Sequence, residues 1–585
     1  MPNKIDVDAW IENITAGMNY KEKYGDSKSW STYTEYGRGN FGGYKHDTSL
    51  LPYNITYAME KGLIPEVYFR NPYVTVSPRF GSGFDMQAKI VEAIDNWIIN
   101  EIGLKDEIKL ACRDAYYCGR GIIKVGYDGL GSDKKTANNG VNRKIADILG
   151  FPLSHTSKNG GERTEYNVNV KPNMPWAVRV APEDFVVPFG VRTIKDCPWI
   201  DHISIKWLKD IKDSPLYTHT RNLDGTHLMM VLRDSNRNNY YQQLEQSNAK
   251  AKLVEVHEIR DFKRQQILAL VPGYDDFIRG PYHDGLQIEG LPFCDFTFNE
   301  DRQFYWSPSD VKIMEPQQLE MNETNTQAMK HRRIALVKFL IEKGGMDPGE
   351  VDKMLSEEVG PAAFTNGNPE NIVKVLQLHI PPDLPGWLDN VRGHVRELFG
   401  QSKQSLGEAP QGRRTKFEMQ GVFAGREVRM DERRDAVADC LKDVIRKINQ
   451  IIFTHWDANM VVPVIGLDGA KYWVQTSAKA ARGEYNLSID VESMTPKSKV
   501  GKRQEIAGLI QTLAKNPKAN INYLMKMLVR EFDYLDAMQI LPDAPESAAS
   551  PMSQGQFGEV QNQMLSNPGM LQERVNRTAG SLGEV

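Results

Sequence analysis

The side chains that most often carry chemistry are present in this chain but are not gathered. Its eleven histidines are dispersed. The closest pair, His219 and His227, has neither HExxH nor HxH spacing, so no zinc site is read from it. His257 and His455 fall in a strand pattern and a helix pattern, where satisfied, partly buried imidazoles are expected. Five cysteines, Cys112, Cys118, Cys197, Cys294 and Cys440, are odd in number and lack a CxxC spacing. Reduced packing thiols are the better reading. No Ser or Cys sits in a GxSxG-type context that marks a nucleophile. Phosphate chemistry fares no better, because GxxxxGK[ST] is absent. Gly119, Gly121 and Gly126 in "CGRGIIKVG" precede and enter a strand instead of opening a helix whose amides could hold an anion. Glu357 and Glu358 read as a solvated acidic stretch.

Positive charge is concentrated in two places. Lys330, Arg332 and Arg333 end a polar helix, where cations complement the helix dipole and could also meet a polyanion. Lys403, Arg413, Arg414 and Lys416 flank a loop rich in Gly, Ser and Pro, where a groove or polyanion could be touched. The total of 72 Lys and Arg against 76 Asp and Glu, a formal charge of -4, argues against tight nonspecific capture of nucleic acid as the main task.

The 585 residues suffice for about four domains. No run of 18 to 20 apolar residues is present, so a membrane span is not expected. The opening Met1 to Asp8 has neither the apolar core of a secretory signal nor transit-peptide character, which implies a cytosolic birthplace. The first 50 residues are rich in Tyr, Gly, Ser and Lys and read as an extended arm. Ile55, Ala58 and Met59 open a helix that Gly62 can stop, and an edge-type strand follows over Val67 to Val76. Helical faces run through Met86 to Ile98 and Ile108 to Ala115, and Gly121 to Tyr127 is a buried strand. Residues 129–174 form a Gly/Asn-rich excursion with a modest helix near Ile145 to Leu149. Strands return at Trp176 to Pro188, Leu253 to Phe262 and Gln266 to Val271.

Between Pro308 and Arg333 lies a helix that is polar almost all round, with no core of its own to join. A small unit, Ile334 to His379, follows and is too short to be stable alone. A Pro-started helix runs through Trp387, Val391, Val395 and Leu398. The longest helix spans Thr415 to about Trp456, a rod of about 60 Å at 1.5 Å per residue. Its seam is Val437, Leu441, Val444, Ile448, Ile451 and His455. Val461 to Leu467 and Lys471 to Thr476 flank Asp468-Gly469 as a hairpin, and Tyr485 to Val491 is a further strand. Lys502 to Leu513 and Ile521 to Met538 are helical, and the segment after Pro542 reads as mobile.

That order of parts resembles the portal protein of tailed bacteriophages. The likeness is carried by "EVYFRNPYVTVSPR" (Glu66 to Arg79), "EIGLKDEIKLACRDAYYCGRGIIKVGYD" (Glu101 to Asp128) and "VAPEDFVVPFG" (Val180 to Gly190). "IALVKFLIEKGGMDPGEVDKML" (Ile334 to Leu355), "QGRRTKFEMQG" (Gln411 to Gly421) and the long helix after it add to these. The resemblance implies a mixed α+β subunit that assembles into a ring. It would comprise an N-terminal arm (1–50), a wing (51–307 and 416–500), stem helices (308–333 and 380–399), a clip (334–379), a tunnel loop (400–415), a crown (501–541) and a flexible tail (542–585).

It further implies a homo-oligomer, commonly a 12-mer, at one capsid vertex of the virion, made in the host cytoplasm. Double-stranded DNA would enter through its channel during terminase-driven packaging and leave during ejection. The implied partners are the terminase large subunit, head–tail adaptor or tail proteins, and the major capsid and scaffolding proteins. No membrane, cofactor, metal or enzymatic activity is implied. Lys403, Arg413, Arg414 and Lys416 would line the tunnel loop, Lys330, Arg332 and Arg333 would be stem cations, and Glu350, Asp352, Glu357 and Glu358 would form a clip docking surface. Twelve copies would sum to a charge of about -48, which repels phosphate except near local cations. The 129–174 excursion has no counterpart in that plan, and the C-terminal helices are short for a long crown barrel. Two other classes compete: a different virion structural component of the tail or head completion, and a DNA-processing enzyme with an atypical site.

Overall fold

The tyrosine-rich start of the chain is helical, not extended. Its apolar residues recur every three or four positions in two helices, α1 (Pro2–Gly25) and α2 (Ser27–Gly37). Val7 and Ile14 of α1 are buried against strand residues Ile259, Leu268 and Leu270, while Trp10 meets the Trp199 ring edge-on at 5.7 Å. Trp30, Tyr33 and Tyr36 of α2 are buried in the main core, with Trp30 beside Trp306. The polar residues between these aromatics hid a helical period, and burial of the rings supplies the ordering free energy that an arm would lack.

The computed structural model describes residues 2–41, 51–79, 85–127, 174–214, 216–224, 252–334, 338–355, 363–376, 383–400, 416–455, 459–465, 471–477, 485–489, 499–513, 524–525 and 528–529. The 129–174 excursion, most of the loop before the long helix, most of 521–538 and the tail after Pro542 lie outside them. The chain divides into two units, Met1–Pro496 and Lys497–Val585.

In the first unit, α3 (Ile55–Val67) runs through both Gly62 and Pro65. Burial of Leu63, Ile64 and Val67 outweighs the cost of about 1 kcal/mol for a helical glycine. The following strand, β1 (Val74–Pro78), therefore starts later than its sequence suggests, beyond Pro72. Next come α4 (Asp85–Glu101), α5 (Leu104–Cys118) and β2 (Gly121–Tyr127), in which every residue is buried. β2 pairs antiparallel with β3 (Pro175–Val180) on one side. The strands β4 (Phe185–Val186), β5 (Trp199–Trp207), β6 (Leu253–Asp261), β7 (Gln266–Leu270) and β8 (Arg279–His283) form one antiparallel sheet in chain order, with α6 (Leu208–Asp213) after β5. β9 (Phe293–Phe296) then closes the other side of β2.

The polar helix is α7 (Asp310–Ile334). The small unit follows as β10 (Lys338–Ile341), α8 (Pro348–Leu355), α9 (Pro369–Ile372) and β11 (Val373–Leu376), with β10 and β11 antiparallel from Lys338↔Leu376 to Ile341↔Val373. α10 (Asp383–Leu398) and the 40-residue α11 (Lys416–His455) come next. The expected seam of α11 is buried at Val437, Leu441, Val444, Ile448 and Ile451. β12 (Asn459–Ile465) and β13 (Lys471–Ser477) pair as expected. β14 (Tyr485–Ile489) returns to β1, in register Val74↔Ile489 to Pro78↔Tyr485. The second unit holds α12 (Lys499–Leu513). The chain is thus a mixed α and β protein.

One buried ion pair ties α7 to α11. Asp310, fully buried in the first turn of α7, accepts both Arg433 guanidinium hydrogens, at 2.6 and 2.9 Å, and one from Asn299 at 2.8 Å. A carboxylate there also suits the positive helix end. The guanidinium stacks near the rings of Phe298 and Phe399. Replacing Arg433 with Leu leaves a buried carboxylate without its bidentate partner, so urea unfolding should show a loss of about 3–5 kcal/mol. The double variant Asp310→Asn/Arg433→Leu should recover part of that loss.

Candidate functional site

Helix α7 does have a core to join, contrary to the reading of its sequence. Its buried stripe is polar: Gln318, Asn322 and Thr326 sit at four-residue intervals and pack on residues 51–56. Gln318 Oε1 accepts from the backbone N–H of Ile55 and Thr56, both at 3.1 Å, and its amide donates to Tyr53 O at 2.6 Å. Asn322 Oδ1 accepts from Tyr53 N at 2.8 Å, and Thr326 Oγ1 from Leu51 N at 3.2 Å. Gln318, Asn322 and Thr326, about 6 Å apart along α7, thus meet in turn the first amides of α3, then Tyr53 N and Leu51 N in the segment before it. Met314 and Met321 complete the contact as apolar neighbours. The partner segment lies more than 260 residues earlier, which no local pattern can reveal.

α10 packs on α7. Trp387 Nε1 donates to Glu320 at 2.8 Å, the Arg392 guanidinium lies 4.7 Å from the Tyr53 ring centroid, and Val391 and Val395 are buried. The small unit is therefore carried between two helices that are themselves packed together. Among its described residues Met346 and Ile372 are buried, while Leu340 is 54% exposed and Phe364 is 72% exposed.

Lys330, Arg332 and Arg333 are exposed in the last turns of α7. Lys403, Arg413 and Arg414 lie outside the described residues, and Lys416 begins α11 with its side chain likewise outside them. Glu357 and Glu358 also lie outside, whereas Asp352 is exposed on α8. Glu350, partly exposed on α8, is bonded within its own unit. One oxygen pairs with Lys353 at 2.7 Å and the other accepts from Phe364 N at 3.0 Å, and these bonds hold its carboxyl below the usual range. It staples α8 to the chain that presents Phe364.

The chemistry-bearing groups are built into packing. Gly119 takes a left-handed φ of 87° to end α5, and at Gly126 a Cβ would collide with the Trp176 ring. All five cysteines are buried, and burial pushes their thiols up, Cys294 to about 11. No group of three or more His, Cys, Asp or Glu among the described residues could hold a metal ion. None of the described helices is long and apolar enough to cross a membrane.

Two buried charge clusters went unseen in the sequence. His257 is fully buried between Asp201, 2.7 Å from Nδ1, and Glu255, 3.0 Å from Nε2. Both ring nitrogens are thus engaged by carboxylates and the side chain is fully buried. Burial alone would depress the imidazole, but the two carboxylates overcome it and hold it up at about 10. The second cluster sets Lys124 on Glu258 at 2.6 Å, with Arg279 at 4.0 Å from the same carboxylate. Burial would raise Glu258, and these cations outweigh it, bringing it down to about 2. Burial also pushes Lys206 down to about 7 and His202 down to about 3.

No protein-family model matches the chain, and no curated protein matches it either.

The His257 pairing carries a pH signature. A group raised from 6.5 unfolded to about 10 folded contributes fully below pH 6.5 and loses its contribution as pH climbs to about 10. Unfolding free energies measured across that window should fall with pH, and His257→Gln should flatten the slope.

Proposed function

We propose that this chain is a portal-type subunit: copies of it form a ring whose channel passes double-stranded DNA at one capsid vertex. In this reading it is a conduit and docking hub in the virion, not an enzyme. Terminase would engage it during packaging, tail or adaptor proteins afterwards, and capsid and scaffolding proteins around its body. The observation that carries the proposal is the excursion made by α7, the small unit and α10. Two helices packed on each other, bolted to an α/β body through Asp310 and Arg433, support a unit with two buried apolar side chains among its described residues and two large ones exposed.

Such a unit gains little from folding alone. Identical neighbours in a closed heterologous ring would cover Leu340 and Phe364 at every position, which makes a second copy of the chain the natural partner. α7 and α10 correspond to stem helices in this reading, the small unit to the clip, and the cations at 403–416 to the tunnel loop. The near-neutral charge suits a channel through which DNA must slide rather than be captured.

Mass photometry and negative-stain microscopy test the assembly directly. A particle with rotational symmetry, a central hole and a mass near 800 kDa, about twelve times 66.3 kDa, is expected. A persistent monomer or dimer at micromolar concentration would overturn it in favour of another virion component. Phe364→Asp should lower the ring fraction while leaving the melting of the body unchanged.

Replacing Arg413, Arg414 and Lys416 with Ala should spare assembly and impair DNA retention or passage. Normal packaged genome length and infectivity in that variant would remove those cations from the channel.

A further inference from the structure

We infer that a face formed by α3 and α5 contacts the phosphate backbone of duplex DNA, independently of the cations on α7 and at 403–416. Lys105, Lys109 and Arg113 stand at four-residue spacing on α5, about 6 Å apart along one side of the helix. Phe69, 44% exposed, packs beside the first two, with the Lys105 and Lys109 ammonium groups 5.9 and 5.6 Å from its ring centroid. Arg113 carries the row to a cavity of about 570 Å³, lined also by Arg38, Tyr57, Lys61 and Tyr117. The Lys61 ammonium lies 5.1 Å from the Tyr57 ring, and Tyr57 itself is 49% exposed.

The carboxylates around this row are already engaged. Glu60 accepts from the Tyr117 hydroxyl at 2.8 Å and pairs with Lys61 and Arg113 at 3.3 and 3.2 Å. Glu35 pairs with Arg38 at 2.6 Å, and Glu107 accepts from the Arg179 backbone N–H at 2.7 Å. Asp106 is the exposed exception on this part of α5. Arg38, Lys61, Lys105, Lys109 and Arg113 therefore outnumber Glu35, Glu60, Asp106 and Glu107, and the row ends in an open cavity. A single small anion would occupy the cavity and leave Lys105 and Lys109 unused. Evenly spaced cations on a rigid helix fit a polymer of evenly spaced charge, and contacts of this kind position a duplex without reading its sequence.

The inference requires neither a ring nor a channel, so its test stands apart from that of the portal reading. Full-length protein is titrated into a short fluorescent duplex of mixed sequence, followed by anisotropy between about 50 and 200 mM salt. Lys105→Ala/Lys109→Ala should bind at least tenfold more weakly and lower the slope of log K against log salt by about 2, equally for unrelated sequences. Lys105→Arg/Lys109→Arg should bind as the native chain does. Circular dichroism melts and particle mass on the same samples separate a folding or assembly defect from lost contacts. Unchanged affinity and slope in the alanine variant, or no binding by the native chain, would overturn the inference. Displacement of the duplex by polyglutamate as effectively as by unlabelled duplex would also overturn it, assigning the face to an acidic protein.

Discussion

Backbone amides that pack against a helix instead of a strand need side-chain acceptors, and those of Leu51, Tyr53, Ile55 and Thr56 face α7. α7 meets that demand with side chains, Gln318, Asn322 and Thr326 standing in for the neighbouring strand of a ladder. The arrangement repeats over three successive turns of α7, each about 6 Å further along the helix. It also fixes where α7 lies along the segment, since a shift by one residue would present different side chains to the same amides. Asp310 and Arg433 fix its start, α10 docks on α7 through Trp387 and on Tyr53 through Arg392, and the small unit inherits its position from both helices. A more hydrophobic α7 would leave these amides bare.

Elements whose burial follows a single period were legible in the sequence. The seam of α11, the faces of α4 and α5, the buried β2, the α10 helix and the β12–β13 hairpin all read correctly from spacing. Elements whose stability comes from distant partners did not. β5 alternates poorly because both of its faces are covered and because Asp201 is buried by His257, which lies 56 residues away. α1 and α2 were masked by the polar residues between their aromatics, and α3 passes Gly62 because its neighbours bury Leu63, Ile64 and Val67. Among the candidate site residues, the exposed Lys330, Arg332, Arg333 and Asp352 lie on the helices expected of them. The bonds of Glu350 to Lys353 and Phe364 were not legible, since Phe364 reaches it only once the unit folds.

The buried charges of β6 are arranged by strand geometry. Glu255 and His257 point to one face, Glu258 and Arg260 to the other, because successive side chains alternate. Asp201 meets the first pair, while Lys124, Arg279 and Asp284 meet the second. Ion pairs in such surroundings add little over well-packed apolar residues once desolvation is counted. Their effect on register is larger: a slip of one residue would put Glu258 among the partners of His257 and leave Lys124 and Arg279 without a carboxylate. These clusters are better understood as devices that select one pairing of β5 with β6 than as sources of stability or catalysis.

The same contrast between local and distant pairing bears on the order of folding. β10 and β11 are joined by fewer than 40 residues, so their pairing closes a short loop early, while lasting stability of the small unit waits for its neighbours. β1 waits for β14, with Val74 opposite Ile489, and loop closure over such a separation is slow. Leu340 and Phe364 are thus presented while the body is still open, when exposed apolar side chains favour wrong association. A subunit built this way benefits if the contacts that cover its small unit are weak singly and become strong only when a ring closes, since closure adds contacts that no incomplete assembly possesses. Among the described residues of the unit the large exposed apolar side chains are Leu340 and Phe364, each a small contact on its own.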